Sequence, residues 1–346
     1  FIFMKNNKYL FYISQNYSFE ILRPLQREII RQGSTVAWFV AGKEVNLNNF
    51  SVDEILLSSV DEVINFNPAA SFVPGNIIPN FIPGIKVQVF HGLEWKKKGH
   101  FTIRNCIDLY CTHGTATTTK FNELAEKYQF FDVIETGWPK LDNLFTTTKK
   151  QYFSTQRPTI LYAPTFSPSL TSAPELYEQI AALVKDEEYN WLIKFHPKMD
   201  PKWLTLYGQL SADNLKIMKS SNINSLLQSA DIMISDTSSV IGEFALLGKP
   251  VISLNNSQPG NYLINITDAK ELPQALQVAL SPSETLISAI KSYAEELHPY
   301  NDGESSLRIL AAVERIRTQG KQSNKPLPKN IIRNIKQRKR LNYWKL

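Results

Sequence analysis

Ile232-Met233-Ile234-Ser235-Asp236-Thr237-Ser238-Ser239-Val240-Ile241-Gly242-Glu243-Phe244-Ala245-Leu246-Leu247-Gly248-Lys249-Pro250-Val251-Ile252 holds a complete structural unit within 21 residues. Ile232–Ser235 is a short apolar run that reads as a buried strand. Val240, Ile241, Phe244 and Leu247 then recur at helical spacing, and Gly248 and Pro250 stop the helix. Pro250–Leu254 is the next apolar run. A strand, a turn, a helix and a strand in this order are the repeating unit of a parallel sheet covered by helices. The turn is unusually polar. One Ser, Thr or Asp suffices to cap a helix, but five polar residues run from Ser235 to Ser239. Free backbone N–H groups and the positive end of the helix dipole point at such a turn, which makes it a ready phosphate site. Asp236, Thr237, Ser238 and Ser239 are its candidate ligand residues. Glu243, one turn into the helix, either faces the ligand or merely favours the dipole.

The same rhythm extends both ways. Toward the N-terminus, Tyr9–Ile13, Thr35–Val40, Lys86–Phe90, Leu109–Cys111 and Val133–Glu135 read as strands, with helices over Phe19–Arg31, Val52–Ser59 and Asn122–Lys127. Gly137-Trp138-Pro139-Lys140 breaks the pattern and Thr146–Arg157 is polar. The rhythm restarts with strands at Thr159–Tyr162, Trp191–Phe195 and Leu215–Met218, helices at Ala173–Lys185, Ile223–Gln228 and Leu272–Leu280, and a last helix at Glu304–Arg317. The expected organisation is two Rossmann-like parallel-sheet domains, 1–145 and 146–320, facing a cleft, followed by a basic tail, 321–346. Ligands of such sheets bind beyond the carboxyl ends of the strands.

Three further motifs stand at such ends. His91-Gly92 follows the Lys86–Phe90 run. Imidazole takes a proton near neutral pH, so His91 is a candidate general base, Gly92 allows close backbone approach, and Lys96 and Lys97 are candidate phosphate-neutralising groups. His196-Pro197-Lys198 ends the Trp191–Phe195 strand in the other domain. Asp302-Gly303-Glu304-Ser305-Ser306 is a turn leading into the final helix. His113 lies in another polar strand-to-helix turn, Thr112–Thr117, and is a weaker candidate.

The bulk numbers exclude other classes. With 346 residues, 43% hydrophobic and 20% charged, the chain has enough apolar surface for a core in each domain. No run of 18 apolar residues marks a membrane span, and the N-terminal residues lack a signal-peptide layout. Cys106 and Cys111, the only two cysteines, suit a reducing compartment rather than a disulfide scaffold. Neither a zinc spacing nor clustered carboxylates signal a metal, so none is expected. The net charge is +6, and nine Lys/Arg with no Asp or Glu lie in 321–346, leaving the rest at about −3. Nucleic acid is therefore not an expected partner. The tail, with Ile331, Ile332, Ile335, Tyr343 and Trp344 among its cations, suits an anionic membrane surface.

Six segments carry a resemblance. His91-Gly92-Leu93-Glu94-Trp95-Lys96-Lys97-Lys98-Gly99 aligns without gaps with H-G-T-P-L-K-K-x-G. Gly137–Leu144 matches G-Y-P-R-x-D-x-L, and Tyr162-Ala163-Pro164-Thr165 matches Y-A-P-T. His196-Pro197 matches H-P, Ser235–Val240 matches S-D-Y-S-S-V, and Asp302–Ser306 matches D-G-x-x-S. In this order the chain resembles the CDP-glycerol glycerophosphotransferase family, the teichoic-acid primases and polymerases of bacteria. The resemblance implies a GT-B fold and transfer of a polyol phosphate, most simply glycerol phosphate, from a CDP-polyol to a hydroxyl of a glycan or lipid-linked glycan, with release of CMP and no cofactor. It implies His91 as the base and His196 steadying the donor phosphates. Gly92, Thr165, Lys198, Asp236, Thr237, Ser238, Ser239, Glu243, Asp302, Gly303, Ser305 and Ser306 would lie about the donor. The expected location is the cytoplasm, peripheral on the inner membrane. Leu93, Glu94 and Thr237 depart from the family pattern, which leaves the polyol and acceptor open. A GT-B glycosyltransferase or an epimerase using a nucleotide sugar is the alternative on the same plan.

Overall fold

The computed structural model describes residues 6–93, 99–219 and 222–345. Lys96 and Lys97 lie outside the described residues. Two compact units form: residues up to Phe145 together with those from Leu297 onward, and Thr146–Glu296.

The first unit contains β1 (Lys8–Ile13), α1 (Ser18–Arg31), β2 (Thr35–Val40), β3 (Ile55–Leu57), α2 (Val60–Phe66), β4 (Ala70–Val73), β5 (Ile85–Gln88), β6 (Leu109–Thr112), α3 (Thr115–Tyr128), β7 (Asp132–Glu135) and α4 (Pro139–Thr146). Its seven strands lie in the order β3-β2-β1-β4-β5-β6-β7, each parallel to its neighbours. Helices cover both faces of such a sheet, which is why its strands are near-continuous apolar runs. Leu10, Phe11, Trp38 and Phe72 are fully buried, and Phe11 meets Trp38 edge-on at 4.8 Å.

The second unit contains β8 (Thr159–Tyr162), α5 (Ala173–Lys185), β9 (Asn190–Ile193), α6 (Pro201–Gly208), β10 (Leu215–Ile217), α7 (Ile223–Ser229), β11 (Ile232–Ser235), α8 (Val240–Ala245), β12 (Val251–Leu254), β13 (Ile264–Ile266), α9 (Leu272–Leu280) and α10 (Glu284–Leu297). The order β10-β9-β8-β11-β12-β13 is again parallel throughout. It puts the ends of β9, β8 and β11 side by side.

Three expectations need correction. Val52–Ser59 is not helical. Ile55–Leu57 pairs in parallel with β2, and α2 starts only at Val60, where the Ser59 hydroxyl accepts the Glu62 N–H and Glu62 reaches back to Ser58. The Ser59 half is that of an S-x-x-E capping box, while the return bond of Glu62 goes to Ser58, one residue ahead of the N-cap. The segment after Leu297 does not belong with the second sheet. The helices α11 (Ser305–Gln319) and α12 (Ile331–Leu341) are part of the first unit. Finally, 321–346 is not a separate tail. Lys321 Nζ meets Asp108 at 3.0 Å, and the N–H groups of Gln322 and Ser323 donate to Asp132 at 2.9 Å each.

Candidate active site

In the second unit the motifs converge on Asp236, the residue after β11. Its carboxylate accepts the Thr165 N–H at one oxygen, and the Ser172 N–H and hydroxyl at the other, each at 2.9 Å. Asp236 is fully buried. Burial pushes its carboxyl up, against the pull of these hydrogen bonds. The carboxylate thus fixes the loop after β8. The rest of the turn is tied to the loop after β12, where Asn256 Nδ2 donates to the Asp236 carbonyl at 2.6 Å and the Ser257 N–H donates to Thr237 Oγ1 at 3.1 Å. Ser238 is half-buried and Ser239 exposed, and Ser239 makes no capping hydrogen bond with its side chain. Glu243 is buried within α8.

His196 stands exposed three residues beyond β9. Its Nδ1 accepts the Lys198 N–H at 3.1 Å. An accepting Nδ1 has no proton, so the neutral ring carries its proton on Nε2 as a donor. The ring stacks on Phe166 at 4.3 Å, and Lys198 Nζ lies 5.8 Å from the same phenyl ring. Partial burial, then the cations of Lys198 and Lys194, hold the imidazole below its ordinary value.

In the first unit His91 is also three residues past its strand, β5. Its Nδ1 lies 3.3 Å from the Pro74 carbonyl, beyond β4. A carbonyl only accepts, so the proton is on Nδ1 and the lone pair on Nε2. The ring stacks at 5.4 Å on Tyr17, in the loop after β1. Phe90, one residue earlier, is left-handed, with φ 63°. Such a conformation costs a bulky residue about 1–3 kcal/mol and persists only where the surroundings over-determine it. They do here: the Phe90 ring stacks on His100 at 5.2 Å and meets His113 and Phe121 edge-on. Its carbonyl accepts the Trp138 indole N–H at 3.4 Å. A Cβ at Gly92 would meet no protein atom of the described residues within 4 Å.

His113 is buried, with Nε2 3.4 Å from the Val89 carbonyl. Burial drives it well below the ordinary histidine value, so it packs the turn as a neutral ring. His298 does the same with a defined tautomer. Its Nδ1–H donates to the Tyr300 carbonyl at 2.8 Å, and its Nε2 accepts the Trp138 N–H at 2.9 Å. Burial lowers it to about 4. Asp302 accepts from Arg308 and from the Glu304 N–H, and Gly303 is left-handed, with φ 72°. The N–H groups of Ser305 and Ser306 are taken by Asp142 in α4, at 2.8 Å each. This segment lies in the first unit and Asp236–Ser239 in the second.

A family model described as CDP-Glycerol:Poly(glycerophosphate) glycerophosphotransferase matches residues 94–315. The chain belongs to that family. The span matched to the glycerophosphotransferase family contains His196, Asp236–Ser239 and Asp302–Ser306, and His91 lies three residues ahead of it. The teichoic acid glycerol-phosphate primase of Bacillus subtilis (strain 168) is 30% identical over 205 residues, 53% of this chain and 51% of that relative. The teichoic acid poly(ribitol-phosphate) polymerase of Bacillus spizizenii (strain ATCC 23059 / NRRL B-14472 / W23) is 32% identical over 139 residues, 35% of this chain and 22% of that relative. The chain thus spans about half the length, or less, of these curated relatives. Among solved structures, the wall teichoic acid polymerase TagF superposes with a TM-score of 0.61 at 15% identity, over 92% of this chain and 91% of that one. A Listeria monocytogenes structure described as a UDP-N-acetylglucosamine 2-epimerase gives 0.65 at 15%, over 94% and 100%. The shared fold is the GT-B plan of two parallel α/β sheets.

Within this glycerophosphotransferase frame, sequence reasoning missed Tyr17, Phe166, Trp138, Asp142 and His298 as shapers of the site. Asp142 and Trp138 sit inside the Gly137–Leu144 motif and Phe166 follows Tyr162–Thr165, so their proximity to motifs was the available signal. Tyr17 had none.

Proposed function

We propose that the chain transfers glycerol phosphate from CDP-glycerol, or the corresponding group of a related CDP-polyol, to a hydroxyl of a glycan or lipid-linked glycan, releasing CMP. The observation that carries the reading is the opposite polarity of two strand-end histidines. His91 offers a lone pair on Nε2, and His196 offers an N–H at the same ring position. The first is the form of a base and the second the form of an anion-binding donor. The acceptor oxygen attacks the distal phosphorus of the donor, its proton passes to His91 Nε2, and the phosphorus–oxygen bond to CMP breaks. Such transfer depends on positioning and charge stabilisation rather than covalent catalysis. His196, Lys198, Thr165, Ser238, Ser239 and the N–H groups opening α8 serve the donor phosphates. Asp236 acts by holding their loops. The reading gives no part to a metal ion and expects turnover in EDTA. Membership in the family supports the donor class, and the names of both bacterial relatives support teichoic acid synthesis as the setting.

The proposal extends to location. No helix among the described residues is long and apolar enough to cross a membrane. Ile331, Ile332 and Ile335 of α12, and Trp344 beyond it, are each more than half exposed, among Arg333, Lys336, Lys339 and Arg340. That pattern suits the cytoplasmic face of an anionic bacterial membrane, where each cation adds ~1 kcal/mol.

The test is a donor panel of CDP-glycerol, CDP-ribitol and UDP-sugars with wall or lipid-linked glycan acceptors. CMP release that persists in EDTA and is lost in His91→Ala and His196→Ala is expected. UDP release would instead move the chain to the glycosyltransferase or epimerase alternative. Co-sedimentation with anionic but not neutral vesicles, weakened by Ile332→Asp, tests the membrane contact.

A further inference from the structure

The turn that presents His91 is left-handed at a buried phenylalanine, and the side chain bonded to it lies 48 residues away. Trp138 is 3% exposed. Its indole N–H donates to the Phe90 carbonyl, and its ring packs on His113 at 5.4 Å. Its own backbone N–H is held by His298 Nε2 at 2.9 Å. Just before it, Gly137 has φ 79°, and a Cβ there would come within 2.5 Å of Ser305 Oγ and 2.7 Å of His298 Nε2. The Gly137–Trp138 backbone that carries the indole is therefore held by His298 and faced by Ser305 at the start of α11. The Phe90 carbonyl ends the residue immediately preceding His91, so a bond to it fixes the peptide plane from which the His91 side chain departs.

We infer that Trp138 is a positioning residue for His91: its indole N–H locks the Phe90–His91 peptide so that His91 Nδ1 meets the Pro74 carbonyl and Nε2 has no partner among the described residues. This rests on the reading of His91 as the base. Trp138 touches no reacting atom. Without its N–H, the Phe90 carbonyl loses its indole partner, the left-handed turn loses its restraint, and the ring of His91 is free to leave Pro74.

The test uses the full chain with Trp138→Phe and, as a near-isosteric probe that removes only the N–H, benzothienylalanine at position 138. Nitrogen-15 spectra of His91 read the tautomer, and CMP release reads turnover. The expected result in both variants is a His91 signal moved from pure Nδ1–H toward a tautomer mixture. With it comes a kcat lowered roughly ten- to a hundredfold with donor KM unchanged, while the melting temperature of the benzothienyl variant stays near that of the unaltered chain. A benzothienyl variant with an unchanged His91 spectrum overturns the inference. So does an equal loss in kcat and rise in KM with no tautomer change, which is the mark of a merely structural role. If the unaltered chain releases no CMP, the reading of the reaction fails, but the spectrum still decides whether Trp138 sets the His91 ring.

Discussion

His91 and His196 occupy equivalent places, each three residues past a parallel strand, yet different forces hold them. The His91 turn is gripped by packing. A left-handed Phe90 sits in an aromatic cage with His100, His113 and Phe121, and Trp138 closes it. The His196 turn is exposed and polar, with one N–H from Lys198 and one stacked ring. Its neighbouring loops are organised by the buried Asp236 carboxylate. Under the proposed roles, a base must keep its lone pair aimed at one hydroxyl, and packing gives that rigidity. A site for phosphates needs many donors, and a hydrogen-bonded hub collects loops that supply them.

The strongest break of this comparison is His91→Ala. It removes the proposed base, which should cost ~10²–10⁴-fold in kcat, and since the side chain is exposed, the melting temperature should hardly move. His196→Ala should also leave the fold intact but raise the donor KM and lower kcat together, by ~10²-fold, as steady-state kinetics with CDP-glycerol would reveal. Equal effects of the two changes on kcat alone would erase the distinction drawn between them.

Stability separates the buried carboxylates next. Asp236→Ala removes the acceptor of the Thr165 and Ser172 N–H groups and of the Ser172 hydroxyl and should cost about 3 kcal/mol. Asp142→Ala removes the acceptor for the first N–H groups of α11 and should cost about 1–2 kcal/mol. Urea unfolding measures both. A neutral result for Asp236 would return it to the ligand-binding role that its sequence context suggested.

Acid should distinguish the units. His100 and His298 are each lowered from 6.5 to about 4, and His113 is also held well below the ordinary value, in all three chiefly by burial. The unfolded chain therefore takes up their protons first. The stability they confer is complete above pH 6.5 and lost as pH falls toward 4. Asp142, raised by burial, works in the opposite sense near the low end. Hydrogen exchange between pH 7 and 4.5 should show the first unit loosening before the second, with His298→Gln removing about one proton from the slope. The smallest effect is expected for Phe166→Leu. It keeps bulk but loses the stack under His196, worth about 0.5–1.5 kcal/mol, and should raise donor KM a few fold.

Much was legible without coordinates, because it is local. Apolar runs, helical spacing, and Gly and Pro stops lie within a few residues of one another. So the alternation of strands and helices and the placement of His91, His196 and Ser235–Ser239 at strand ends follow from sequence alone. Even the misread Val52–Ser59 carried its own correction in the Ser59 to Glu62 spacing. The tertiary structure decided what depends on partners remote in the chain. Asp236 meets Thr165 across 71 residues and Asp142 meets Ser305 across 163. Lys321 returns to Asp108 across 213, drawing the last helices onto the first unit. The proton positions on His91 and His298 were set the same way, by Pro74 across 17 residues and Trp138 across 160, whereas that on His196 is set locally by Lys198. A carboxylate or imidazole declares its chemical type in the sequence, but its role depends on which groups the fold brings within about 3 Å.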